Sequence, residues 1–136
     1  MCQLIGVGSF TIIDSALVTP QDIGNNFFLL PEQIGLSRAK CVTELLQELN
    51  EDVDGHYLEE DPVKLVEDHP ALLEGFTIAI ITGVQGAELA KLASFFWERN
   101  IPVVIVKING FLASMRLAVQ EHNSAWRFIS SVLIRN

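Results

Sequence analysis

At 136 residues, with 49% hydrophobic and 19% charged, the chain is one domain or most of one, with enough apolar material for a core. No apolar run reaches the roughly 18–20 residues of a membrane span, and the opening Met-Cys-Gln-Leu-Ile-Gly lacks the basic segment and small-residue cleavage site of a signal peptide. The formal charge of −8 is uneven: residues 1–75 hold 14 Asp/Glu against 3 Lys/Arg and residues 76–136 hold 3 against 6, and the acids between Glu44 and Glu74 exclude nucleic acid as the natural partner.

Cys2 and Cys41 have no metal-ligand spacing, which suits a soluble protein of a reducing compartment, cytoplasmic or nuclear. Residues 1–5 are apolar and end at Gly6-Val7-Gly8, as the last turn of a helix does. That Gly-x-Gly precedes a strand, whereas a phosphate-binding loop follows one, so it is no dinucleotide fingerprint. Ser9–Ile13 reads as a buried strand. Asp14, at its carboxyl end, either caps the next turn or accepts hydrogen bonds from a ribose hydroxyl. Residues 19–26 read as a loop rich in turn formers. Phe27-Phe28-Leu29-Leu30 is an apolar patch, either a core plug or a partner surface.

Ser37 is a helix N-cap, and Val42, Leu45, Leu46 and Leu49 stripe an amphipathic helix ending near Asn50. Cys41 lies in it as a small core residue rather than a nucleophile. His56-Tyr57-Leu58 is a short strand, and Asp61-Pro62 opens one or two short helices broken before Pro70. Residues 76–82 form the clearest buried strand, Leu89, Leu92, Ala93 and Phe96 stripe a second helix to about Arg99, and residues 102–108 make another apolar strand. After the Asn109-Gly110 turn, residues 111–119 read as a further strand. This alternation predicts right-handed βαβ units: an α/β, Rossmann-like fold with a mainly parallel sheet and flanking helices. In residues 123–136, Trp126, Phe128, Ile129, Val132, Leu133 and Ile134 fit one or two amphipathic helical turns with no recognisable role.

Catalytic constellations are scarce. His56, His69 and His122 have no carboxylate or cysteine at ligand spacing and read as surface or capping residues. No nucleophile elbow occurs, and Glu59-Glu60-Asp61 are chain neighbours that do not converge as an acid pair.

Several stretches occur together and in order: Phe-Thr-Ile-Ile-Asp at 10–14, Asp-Ile-Gly-Asn-Asn-Phe-Phe-Leu at 22–29, Ile-Gly-x-x-Arg-Ala at 34–39 and Leu-Gln-Glu-Leu-Asn at 46–50. Glu-Glu-x-Pro at 59–62, Trp97 with Ile101-Pro102, Met-Arg at 115–116 and Glu-His at 121–122 follow. With these the chain resembles the ubiquitin-like-modifier activating enzymes (the ThiF/MoeB-like family), and within them the regulatory, amyloid-precursor-protein-binding subunits of the neddylation branch. The resemblance implies an adenylation-type domain over residues 1–122 that lacks the first strand, the Gly-rich loop and most of the first helix, followed by a divergent tail at 123–136. Such a truncation leaves unpaired edges beside the strands at 9–13 and 76–82, and marginal stability is expected.

The resemblance also implies that adenylating members carry a second Asp two positions after the strand-end Asp, then an Arg before a Gln, and later an Asp and an Arg after the third strand. Asp14 matches the first position as a remnant of the ribose contact. Ala16, Asn25, Asn26, Val84 and Leu89 stand where the charged or amide groups would be. A non-catalytic partner subunit follows, binding a catalytic subunit that holds ATP and magnesium, with no cofactor of its own and no membrane. On interface chemistry Phe27 and Phe28 are the apolar anchors, with Asn25 and Asn26 as hydrogen-bonding neighbours. The alternatives are a sulfur-carrier-type adenylyltransferase or NAD-dependent oxidoreductase, and an inactive truncated product.

Overall fold

The computed structural model describes residues 7–26 and 28–120. The expectations placed on residues 1–5, Phe27, His122 and the tail 123–136 lie outside them. The chain divides into two compact units, residues 1–75 and 76–136. The elements alternate as the hydrophobic pattern requires, and the fold is α/β.

In the first unit, β1 (Ser9–Ile13) pairs in parallel with β2 (Asp54–Leu58), Ser9 opposite Asp54 and Ile13 opposite Leu58. The segment between them is not the plain loop expected at 19–26. Pro20–Asn25 forms a short helix, α1, because Thr19 and Asp22 close a capping box and Pro20 occupies the first turn. A 3₁₀ turn at Pro31–Gln33 follows, and Ser37 caps α2 (Arg38–Leu49) as expected.

The buried face of α2 is rotated from the expected stripe. Ala39, Cys41 and Thr43 are buried, while Val42, Leu45 and Leu46 are half-buried and Leu49 is exposed. Small residues let the helix lie close to β1 and β2, and the buried hydroxyl of Thr43 is satisfied by donating to the Ala39 carbonyl at 2.8 Å. Gly55 permits the same closeness: a Cβ there would sit 2.8 Å from both Phe10 Cζ and Gln47 Cγ. Val18, Leu29 and Cys41 form a core with Ile23, Val42 and Leu45 against it. Cys41 is thus packing, and burial pushes its thiol pKa up. Asp61 caps α3 (Pro62–Asp68), and a 3₁₀ turn at Pro70–Leu73 follows the break at His69. Leu65 and Leu73 are fully enclosed.

In the second unit, β3 (Ala79–Thr82) pairs in parallel with β4 (Val103–Asn109), and β4 pairs antiparallel with β5 (Leu112–Ala118). The strand expected over 76–82 is shorter and less enclosed than its hydropathy suggests. Its ladder begins where Ala79 N–H donates to the Pro102 carbonyl, and Pro102 has no N–H with which to extend it. Only Ile81 of the strand is buried. The antiparallel strand is the other departure from a parallel pattern. Gly110 and Phe111 make a two-residue connection, Gly110 at φ 59°, and so short a loop can join only antiparallel strands. Helix α4 (Gly86–Glu98) buries Leu92, Phe95 and Phe96, and the chain turns back through Asn100 at φ 56°.

Candidate functional site

Of the sequence-derived site residues, Asp14 stands at the carboxyl end of β1, where side chains of α1 and α2 meet. Asp14 leaves the strand, and its Oδ1 accepts the Ala16 N–H at 2.9 Å, the turn-capping role. Its Oδ2 accepts from Arg38 Nε at 2.6 Å, and Arg38 Nη1 donates to Asp22 Oδ1 at 3.0 Å. One guanidinium therefore forks across two carboxylates, from the end of β1 and the first turn of α1, while standing at the first position of α2. The Arg38 N–H also donates to the Ala16 carbonyl at 3.0 Å. Charge-assisted donors in a fixed fork suit this bridging geometry.

The electrostatics follow. Asp22 lies below the usual carboxylate range, first because Thr19 donates its hydroxyl (2.6 Å) and backbone N–H (2.8 Å) to Oδ2, then through Arg38. Arg38 is raised, chiefly by its hydrogen bond to Asp14. The residues expected to sit nearby have different fates. Asn25 is exposed at the end of α1. Asn26 caps that helix, with its N–H on the Asp22 carbonyl at 2.8 Å and its side-chain oxygen taking the Phe28 N–H at 3.1 Å. Phe28 is half-buried, Leu29 belongs to the core and Leu30 is exposed. Of the described residues of the apolar run, Leu29 is therefore plug and Leu30 surface.

Sequence reasoning missed two features. The first is the fork: Arg38 lies 24 residues from Asp14 along the chain, and no local pattern announces that pairing. The Thr-Pro-Gln-Asp capping box was the legible half. The second is an exposed apolar set. Leu17, Leu30, Ile34 and Leu36 all face solvent, brought onto neighbouring segments by the Val18 N–H to Leu36 carbonyl bond, the Gly35 N–H to Val18 carbonyl bond and the Leu17–Ser37 bridge. Gly35, at φ 86°, allows that turn. Among the described residues no group of three His, Cys, Asp or Glu is placed to hold a metal ion, and no helix is long and apolar enough to cross a membrane.

No protein-family model matches the chain. Among solved structures, E. coli MccB with MccA-N7isoASN is similar at a TM-score of 0.70 and 13% identity, over 84% of this chain and 33% of that one. PaaA is similar at 0.69 and 18%, over 88% of this chain and 39% of that one. At such identities the likeness speaks for the fold, a Rossmann-like α/β architecture. Curated relatives are nearer in sequence. The NEDD8-activating enzyme E1 regulatory subunit of Xenopus laevis is 44% identical and that of Gallus gallus 43%, each over 119 residues and 88% of this chain. The Arabidopsis thaliana regulatory subunit AXR1 is 36% identical over 117 residues, 86% of this chain. The chain spans 22% of the length of each of these three relatives. Over the greater part of its own length, it is a homologue of the NEDD8-activating enzyme E1 regulatory subunits.

Proposed function

We propose that this chain acts on the regulatory side of NEDD8 activation, as a non-catalytic segment that docks on a catalytic subunit. The observation that carries the reading is identity of up to 44%, over 88% of the chain, to regulatory subunits. The chemistry at the end of β1 supports it. Nucleotide activation needs positioned charge around phosphates and a metal, and the residues present do not fit ATP with magnesium. Asp14 is occupied by the Ala16 N–H and Arg38, and Arg38 is held between two carboxylates. Ala16, Asn25, Asn26, Val84 and Leu89 bring no charge to the positions the family resemblance singles out. In this reading Asp14 is a remnant of a ribose contact turned to bracing the fold, and ATP and magnesium belong to the catalytic subunit.

The docking surface is the region of Asn25, Asn26, Phe27 and Phe28 together with the exposed Leu17, Leu30, Ile34 and Leu36. Exposed apolar side chains without charge are the usual composition of an interface centre. The test is co-expression with the catalytic subunit of a NEDD8-activating enzyme, then affinity capture and size exclusion. A stoichiometric complex is expected, lost on combining Leu17→Glu with Ile34→Glu while circular dichroism stays unchanged. A soluble chain that never co-elutes would sink the reading.

A further inference from the structure

Four edge strands bound the two sheets, and β5 is the least protected of them. β3 offers only four residues, β1 is half-buried along most of its five, and β2 carries Asp54 and is followed by Glu59. β5 is seven residues long, holds unbroken register against β4, and every residue in it but Ala118 is exposed. Short length, proline, bulges and charges are what keep an edge from pairing with another strand. β5 has no proline, no bulge and one charge, on Arg116. The two-residue turn makes Asn109 and Leu112 the closing hydrogen-bonded pair. Ser114, Arg116 and Ala118 then also bond to β4, while Ala113, Met115 and Leu117 turn their N–H and C=O groups outward. Among the described residues no other backbone bond reaches those outward groups. The same three side chains share an uncharged face with Ile80, Val104, Val106 and Ile108, opposite the face, on the side of α4, that holds the buried Ile81 and Val103.

We propose that β5 pairs with β5 of a second copy of this chain, antiparallel about a two-fold axis at Met115, joining two three-stranded sheets into one. The register follows from the residues. This centring keeps all seven residues paired: Met115 faces Met115, Ala113 faces Leu117 of the second copy, and Ser114 faces Arg116. Outward groups meet outward groups throughout, small lies beside large, and a hydroxyl lies beside each guanidinium. Moving the axis to Arg116 sets two guanidinium groups directly opposite each other. Moving it to Ser114 leaves Leu117 and Ala118 beyond the end of the other strand. A foreign strand has to supply this fit, whereas in an isologous pair each strand brings it for the other. The residues concerned lie in the second unit and include none from 17–36, so this pairing and the proposed docking surface stand or fall separately.

Sedimentation of the full chain is expected to show a monomer–dimer equilibrium that follows protein concentration. Met115→Pro removes an outward donor without touching the ladder to β4, a position where an edge strand accepts proline. It should abolish the dimer with the circular dichroism unchanged. Cysteines read the register in a Cys2→Ser background, Cys41 being buried. Facing residues of a hydrogen-bonded pair stand about 5.5 Å apart, within reach of a disulfide. Met115→Cys should therefore oxidise to a covalent dimer several-fold more than Leu117→Cys, whose two copies are separated by four residues of strand, about 13 Å. Ala113→Cys mixed with Leu117→Cys should cross-link where neither does alone. If Met115→Pro does not fold, the cysteine pattern decides. A monomer at every concentration, a folded Met115→Pro chain that still dimerises, or equal cross-linking at Met115 and Leu117 would each overturn the proposal.

Discussion

The two units of this chain secure their sheets by different means. The first holds a two-stranded parallel pair with groups far apart in sequence: α2 lies against both strands through small residues, Gly55 lets Phe10 and Gln47 approach, and Arg38 ties β1 to α1. The second relies on nearer connections, with a two-residue hairpin joining β4 to β5 and α4 covering one face. Burial shows the consequence. The first unit contains fully enclosed side chains such as Leu65 and Leu73, whereas β5 exposes both its faces. A parallel pair cannot be closed by a short turn, so its stability has to come from what packs across it.

Four experiments would break or sharpen that contrast. The largest effect is expected from Leu65→Ala, which leaves a cavity in the tighter unit and should cost about 2–5 kcal/mol in denaturant unfolding. Leu92→Ala in the second unit should fall at or below the lower end of that range, since α4 can settle onto an open-sided sheet. Equal losses would show the two units to be equally packed. Next comes Gly55→Ala, where the added methyl displaces both Phe10 and Gln47. A loss of about 1–3 kcal/mol is expected, and a neutral result would mean that α2 is not seated tightly on β2.

Arg38→Ala should cost about 1 kcal/mol, modest because the pairs are partly solvated. Arg38→Lys should recover only part of it, because an ammonium does not reproduce the planar fork. Full recovery by lysine would reduce the bridge to simple charge attraction. The smallest effect is on pH. Asp22 is held below its ordinary value of 3.8 in the folded chain, first by Thr19 and then by Arg38. The folded state therefore binds that proton more weakly than the unfolded chain does. Its stabilisation is complete above the unfolded value and is lost as pH falls through the lowered folded one. In acid titrations followed by circular dichroism, Asp22→Asn should flatten the decline below pH 3.8. An unchanged slope would refute the assignment of that decline to Asp22.

Local signals in this sequence proved dependable where one chain segment contained the whole cause. The Ser37 and Asp61 caps and the span of β1 stood where residue type and spacing put them, although β1, expected to be buried, is at most half-buried. Helix α4 buries Leu92 and Phe96 of its expected stripe but Phe95 in place of Leu89 and Ala93, and the Thr19–Asp22 capping box was there to be read. Two further expectations changed for reasons of context. Residues 76–82 are hydropathic enough for a buried strand, yet the ladder starts only where β4 can pair with it, and only Ile81 is covered. The α2 stripe followed hydrophobicity toward Leu49, whereas close approach to the strands favoured Ala39, Cys41 and Thr43.

What the sequence determined by itself was the α/β order of elements, the ends of the principal helices and the absence of charge at Ala16, Asn25, Asn26, Val84 and Leu89. These depend on neighbours within a few residues, or on a residue's own chemistry. Only the tertiary structure decided that Arg38 belongs to Asp14 and Asp22, that Leu17 and Leu36 come to adjacent segments, and that the more apolar face of the β3–β4–β5 sheet is the one α4 leaves open. Each is a meeting of residues distant along the chain, and pairing, register and the side on which a helix lands are properties of packing, which periodicity along one segment does not encode.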